Sequence, residues 1–109
     1  MESAVPDGNL YAQHASICQT LAHPKRLEAI DRLREAEMSV SDLASALEIS
    51  QPNLSQHLSL MRQKGIVITR REGLNVYYRL ASPKIGRACD LMREVLVENL
   101  EAGAALARG

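Results

Sequence analysis

Four aliphatic stripes at helical spacing, two β-branched runs flanking Glu72-Gly73-Leu74-Asn75, and a last segment with 4-3-4-3 apolar spacing predict the fold class. They describe a mainly α chain with one small β-hairpin. The first nine residues carry Pro6, Asp7 and Gly8 and are expected to form a disordered N-terminal tail. Leu10, His14, Ile17, Cys18 and Leu21 then mark one face of a helix from about Leu10 to Leu21. His23-Pro24 interrupts it, and Pro24 suits the first position of a second helix striped by Leu27, Ile30 and Leu33. Ser39, followed three residues later by Asp42, is a cap for a short third helix with Val40, Leu43, Ala44 and Leu47 inward. Glu48-Ile49-Ser50 is a tight turn, and Ser50 caps a fourth helix whose inner face is Leu54, Leu58 and Met61. Gly65 ends that helix in the left-handed conformation. Residues Ile66 to Arg71 and Val76 to Leu80 are the two strands of the hairpin. Ser82-Pro83 starts a fifth helix with Ile85, Cys89, Met92, Leu96 and Asn99 along one seam, a spacing that suits another helix, including one from a second subunit. Residues 102–109 are expected to fray, which leaves 10–101 as one domain.

With 109 residues, three Tyr and neither Phe nor Trp, the chain must build an aliphatic core. Thirteen basic and thirteen acidic residues cancel, so overall charge announces no partner. The distribution does. From Gln51 to Arg79 there are five basic residues (Arg62, Lys64, Arg70, Arg71, Arg79) against Glu72 alone, a local excess of four. One basic face in a neutral protein is what phosphates would meet. No apolar run has the length of a membrane helix, and the first nine residues have neither the basic nor the apolar region of a secretory signal. A cytoplasmic protein with reduced thiols is expected.

Two short helices joined by a tight turn and followed by a hairpin define a winged helix-turn-helix. The fourth helix turns Gln51, Asn53, Ser55, Gln56, Ser59, Arg62 and Gln63 outward, with no acid among them. Amide side chains pair with adenine edges, and serines with bases or phosphates. A helix N-terminus also offers free N–H groups to phosphate. The hairpin would be the wing, with Arg70 and Arg71 on its first strand and Asn75 at its tip, suited to phosphates or the minor groove. For any one of these residues an ordinary solvated surface is an equal explanation; the combination points to DNA. No nucleophile with an orienting acid accompanies a histidine, so catalysis is not expected.

Five stretches carry a family resemblance: residues Leu21 to Leu27 (Leu-Ala-His-Pro-Lys-Arg-Leu), Ser41-Asp42-Leu43-Ala44, Ser50 to Leu58, Gly65-Ile66-Val67 and Val76-Tyr77-Tyr78-Arg79-Leu80. In these the chain resembles the ArsR/SmtB repressors, over roughly Cys18 to Arg93. The resemblance implies a homodimer joined through the first and last helices, with apo protein bound to operator DNA and an inducer causing release. It places His57 in a Ser-x-His-Leu segment, either facing DNA or supporting the helix, and His57 is counted with the DNA-binding set. The family's third-helix metal site reads Cys-Val-Cys where this chain has Ser39-Val40-Ser41, and hydroxyls do not replace thiolates for soft metals. Its last-helix zinc site uses Asp and His; here Asp90 and Glu94 have no histidine beside them.

The candidate sensors are Cys18 and Cys89, on the first and last helices. Three readings stay open: apolar packing, a thiol redox or sulfur switch, and a thiophilic metal or metalloid site, to which His14 would add a third ligand of a still incomplete set. Family members that sense sulfur through two cysteines carry the first on the second helix, where this chain has Ala29-Ile30-Asp31. The competing function is a winged-helix protein-interaction module that no longer reads DNA. Zero net charge and Leu74 at the wing tip keep it open.

Overall fold

The computed structural model describes residues 7–108, with side chains through residue 104. Helix α1 spans Gly8–Leu21, α2 Pro24–Glu35, α3 Val40–Leu47, α4 Gln51–Gln63 and α5 Pro83–Arg108. Strands β1 (Met38–Ser39), β2 (Val67–Glu72) and β3 (Asn75–Leu80) form one antiparallel sheet in the order β1-β3-β2. This is the expected helix and hairpin order, with one strand added.

The caps explain the boundaries. Ser39 accepts from the Asp42 amide at 3.1 Å and Ser50 from the Asn53 amide at 3.2 Å, so both helices of the helix-turn-helix start where a hydroxyl satisfies an orphan N–H. The turn between them uses Glu48 in the left-handed region (φ 57). Gly65 ends α4 at φ 74. The wing closes through Gly73-Leu74: Glu72 faces Asn75, and Gly73 takes φ 63, which a two-residue hairpin loop needs at its first position.

Three boundaries differ from the sequence expectation. Residues 1–6 of the expected tail lie outside the described residues, but Asp7 caps α1 by accepting from the Leu10 amide at 2.9 Å, so the helix begins at Gly8. Residues 102–108, expected to fray, continue α5, in keeping with the high helix propensity of alanine. Strand β1 was not anticipated, because two residues carry no periodicity; its pairing of Met38 with Tyr78 and Ser39 with Tyr77 is set across the fold.

The core joins Ala29, Ile30 and Leu33 of α2, Leu43, Ala44 and Leu47 of α3, Leu54, Leu58 and Met61 of α4, and Ile66 and Val67. It fixes the helix-turn-helix from beneath and anchors the base of the wing. The expected seam of α5 divides. Ile85 and Cys89 pack on this core, while Met92, Leu96 and Asn99 are exposed. Along α1, Leu21 meets the core and Leu10, His14, Ile17 and Cys18 do not. A single chain therefore leaves apolar faces on α1 and α5 open to solvent.

Candidate nucleic-acid interface

Because Leu54, Leu58 and Met61 are buried, the opposite side of α4 must face water. Gln51, Asn53, Ser55, Gln56, Ser59 and Arg62 are all exposed there, and no acid stands on the helix. The Ser50 hydroxyl occupies the Asn53 amide, so the helix starts cleanly and its polar residues stand on a rigid element. This surface can pair with base edges and phosphates without repelling them.

His57 is the member of the expected set on α4 that is not exposed. It follows Leu54 by three residues and so joins the inner stripe; it is half-buried. Its Nδ1 accepts from Arg26 Nε at 3.0 Å, and its ring centroid lies 4.5 Å from that of His23. Burial, then the neighbouring His23 and Arg26, push its pKa below the ordinary histidine value. The helical period alone signalled this inward position.

Arg70, also of the expected set, is exposed but held by acids of the same chain. Its guanidinium donates through Nε to both carboxylate oxygens of Glu37 (3.1 and 3.2 Å), through Nη2 to Glu37 again, and through Nη1 to Glu72 at 3.2 Å. It also lies over the Tyr77 ring, 4.8 Å from the centroid. The bonds to Glu37 and Glu72 hold it protonated, and Arg70 in turn keeps the Glu37 carboxyl below its usual range. Its charge is already answered by the protein's own acids. Nothing local in the sequence links Arg70 to Glu37, 33 residues away.

Arg71 differs because successive strand residues face opposite sides. It is exposed, stands opposite Val76, and has no ion pair among the described residues. Asn75 is exposed beside the turn, and Leu74 at the tip is 98% exposed. Arg79 of β3 is likewise exposed and without an ion pair among the described residues, so the wing offers Arg71 near its tip, Arg79 nearer its base, one amide and an apolar tip.

Cys18 is an exposed free thiol on α1, and Cys89 is a half-buried free thiol on α5. Burial raises the pKa of Cys89, which keeps it a thiol rather than a reactive thiolate. Among the described residues no group of three or more His, Cys, Asp or Glu is placed to hold a metal ion, so the single chain does not gather His14, Cys18 and Cys89 into a site. Two ion pairs that sequence reasoning missed lie near Cys89. Asp90 accepts from Arg34 at 2.7 and 2.9 Å, and Asp31 from Arg93 at 3.1 Å, tying α2 to α5.

The model of the bacterial regulatory proteins of the arsR family matches residues 23–69. The chain is similar to the biofilm growth-associated repressor of Agrobacterium fabrum, 45% identical over 78 residues that make up 72% of this chain and 67% of that protein. It is 36% identical over 84 residues to the transcriptional activator HlyU of Vibrio cholerae, 77% of this chain and 78% of that one. Its fold is similar to the solution structure of a homodimeric winged helix-turn-helix DNA-binding domain from Mycobacterium bovis, with TM-score 0.80 and 31% identity over 93% of this chain and 95% of that one.

Proposed function

The chain belongs to the ArsR family of bacterial regulatory proteins, DNA-binding regulators of transcription rather than enzymes, and from that premise we propose that it is a homodimeric repressor of double-stranded operator DNA. The observation that carries this reading is the exposed, acid-free polar face of α4 beside a wing whose Arg71 has no ion pair among the described residues. In this reading Gln51, Asn53, Ser55, Gln56, Ser59 and Arg62 meet the major groove, and Arg71 and Asn75 meet the adjoining backbone or minor groove. Arg70 shapes the wing instead of touching DNA.

The exposed apolar residues of α1 (Leu10, Tyr11, Ile17) and α5 (Leu91, Met92, Val95, Leu96, Leu100) support dimerisation through those helices. A two-fold pair would present two α4 helices to successive turns of one duplex face. Repression follows the sense of the Agrobacterium relative. Release by an inducer or by modification of Cys18 or Cys89 is the remaining part of the proposal; thiol masses before and after oxidant, sulfide and metal treatment, read beside DNA affinity, test it. No described helix is long and apolar enough to cross a membrane.

Fluorescence anisotropy with a duplex spanning the protein's own promoter tests the central claim. Salt-sensitive, sequence-selective binding is expected, and its absence sinks the reading. The 98% exposure of Leu74 favours one second reading, a wing that docks on protein. Charge reversal at Arg71 separates the two: it abolishes duplex binding in the first and leaves partner binding intact in the second.

A further inference from the structure

The junction of α1 and α2 meets α4 through side chains that DNA reading does not use. Arg26 donates through Nη1 to the Thr20 carbonyl at 3.0 Å, near the end of α1, and through Nε to His57 Nδ1 at 3.0 Å, in the middle of α4. His23 caps α2, its Nδ1 accepting from the Lys25 amide at 3.2 Å, and its ring lies against that of His57 with a tilt of 58°. Lys25 reaches the Leu47 carbonyl at 2.8 Å, at the end of α3. One planar guanidinium therefore ties the end of α1 and the start of α2 to α4.

We infer that Arg26 is a positioning residue for DNA reading: through His57 Nδ1 it fixes the rotation of α4 about its axis, and protonation of His57 undoes this tie and weakens duplex binding. The inference rests on the DNA-binding reading above. Its logic is donor and acceptor arithmetic. A guanidinium has only donors, so its bond to Nδ1 exists only while that nitrogen keeps its lone pair. A proton there replaces a hydrogen bond with two facing cations. From α2 the groups that face His57 are His23 and Arg26, both basic. From α1 the tie reaches only the Thr20 carbonyl, Lys25 is turned to the end of α3 and pairs with the one nearby α2 carboxylate, Glu28, at 3.2 Å, and α4 itself has no acid. Among the described residues no carboxylate acts on His57 to hold the protonated form in place, and burial opposes that form further. Gln56 adjoins His57 on the exposed side, so a small rotation of α4 moves a base-facing amide directly.

Two measurements test this. The first is anisotropy on the promoter duplex at fixed salt, from about pH 8 to about pH 5, across the histidine range. Wild-type affinity is expected to fall about tenfold on acidification, the scale of one lost hydrogen bond to a charged group. His57→Asn places an oxygen acceptor where Nδ1 lies and does not titrate, so it flattens the profile. Arg26→Met, which keeps bulk but cannot donate, binds about tenfold more weakly at neutral pH and has lost the acid step. An affinity that is constant or rises on acidification overturns the inference, as does a wild-type profile in His57→Asn.

The second measurement is amide exchange of α4 in the DNA-free protein, corrected for intrinsic rates, so it stands even if no duplex is bound at any pH. That last result would sink the proposed function and leave the tie to be judged by exchange. Faster α4 exchange at low pH in wild type but not in His57→Asn supports the tie; exchange unchanged by pH in wild type overturns it.

Discussion

Replacing Arg71 with Gln should change the salt dependence of DNA binding far more than replacing Arg70 does, although the two residues are adjacent. Each phosphate contact lowers the affinity with a slope of about −0.9 in log salt. A dimer has two wings, so Arg71→Gln should flatten the slope by about 1.8. Over a fourfold salt increase, from about 50 to about 200 mM, the affinity lost should then be about 12-fold smaller than for wild type. Arg70 already spends its donors on Glu37 and Glu72, so Arg70→Gln should move the slope much less. Glu37→Gln supplies the converse, because it frees Arg70 and should steepen the slope. Anisotropy titrations at four salt concentrations measure all three variants, with a thermal melt to check folding. Equal flattening by Arg70→Gln and Arg71→Gln, or no flattening by Arg71→Gln, would refute the argument that strand alternation and ion pairing decide which arginine meets DNA.

The remaining expectations concern the scaffold. A Cβ at Gly86 would fall 2.3 Å from Arg34 Nε and displace the guanidinium from Asp90, while alanine favours the helix by about 1 kcal/mol. Gly86→Ala should therefore stabilise by about that amount in an Arg34→Ala background and by clearly less in wild type; urea melts of the four proteins give the cycle, and equal effects in both backgrounds would remove the clash. Ser50→Ala deletes the cap of α4 and should cost about 1 kcal/mol in a denaturant melt; no loss would show that the hydroxyl is dispensable. Leu96→Glu puts a charge in the exposed apolar stripe of α5 and should yield a monomer by light scattering with weakened duplex binding; a persistent dimer would place the interface elsewhere.

Local chemistry made most of the fold legible from residues alone. Ser39, Ser50 and Pro24 mark helix starts because capping and a missing N–H act within one turn, and Gly65 marks a stop because left-handed backbone suits glycine. The period of 3.6 sorted Leu54, Leu58 and Met61 from Gln51, Ser55 and Gln56, so the solvent-facing side of α4 was readable. His57 follows Leu54 by three residues, so the same period carries the signal of its inward lean.

What the sequence determined by itself is the order of elements, the face of α4 that points outward and the existence of a wing, since each depends on neighbours within a few residues. The tertiary structure alone decided which wing arginine keeps a free charge, that Arg26 grips α4 through His57, and that a two-residue strand pairs with β3. Those outcomes are contacts between residues 31 to 40 positions apart, and a hydrogen bond leaves no trace in the chain until folding brings its donor and acceptor together.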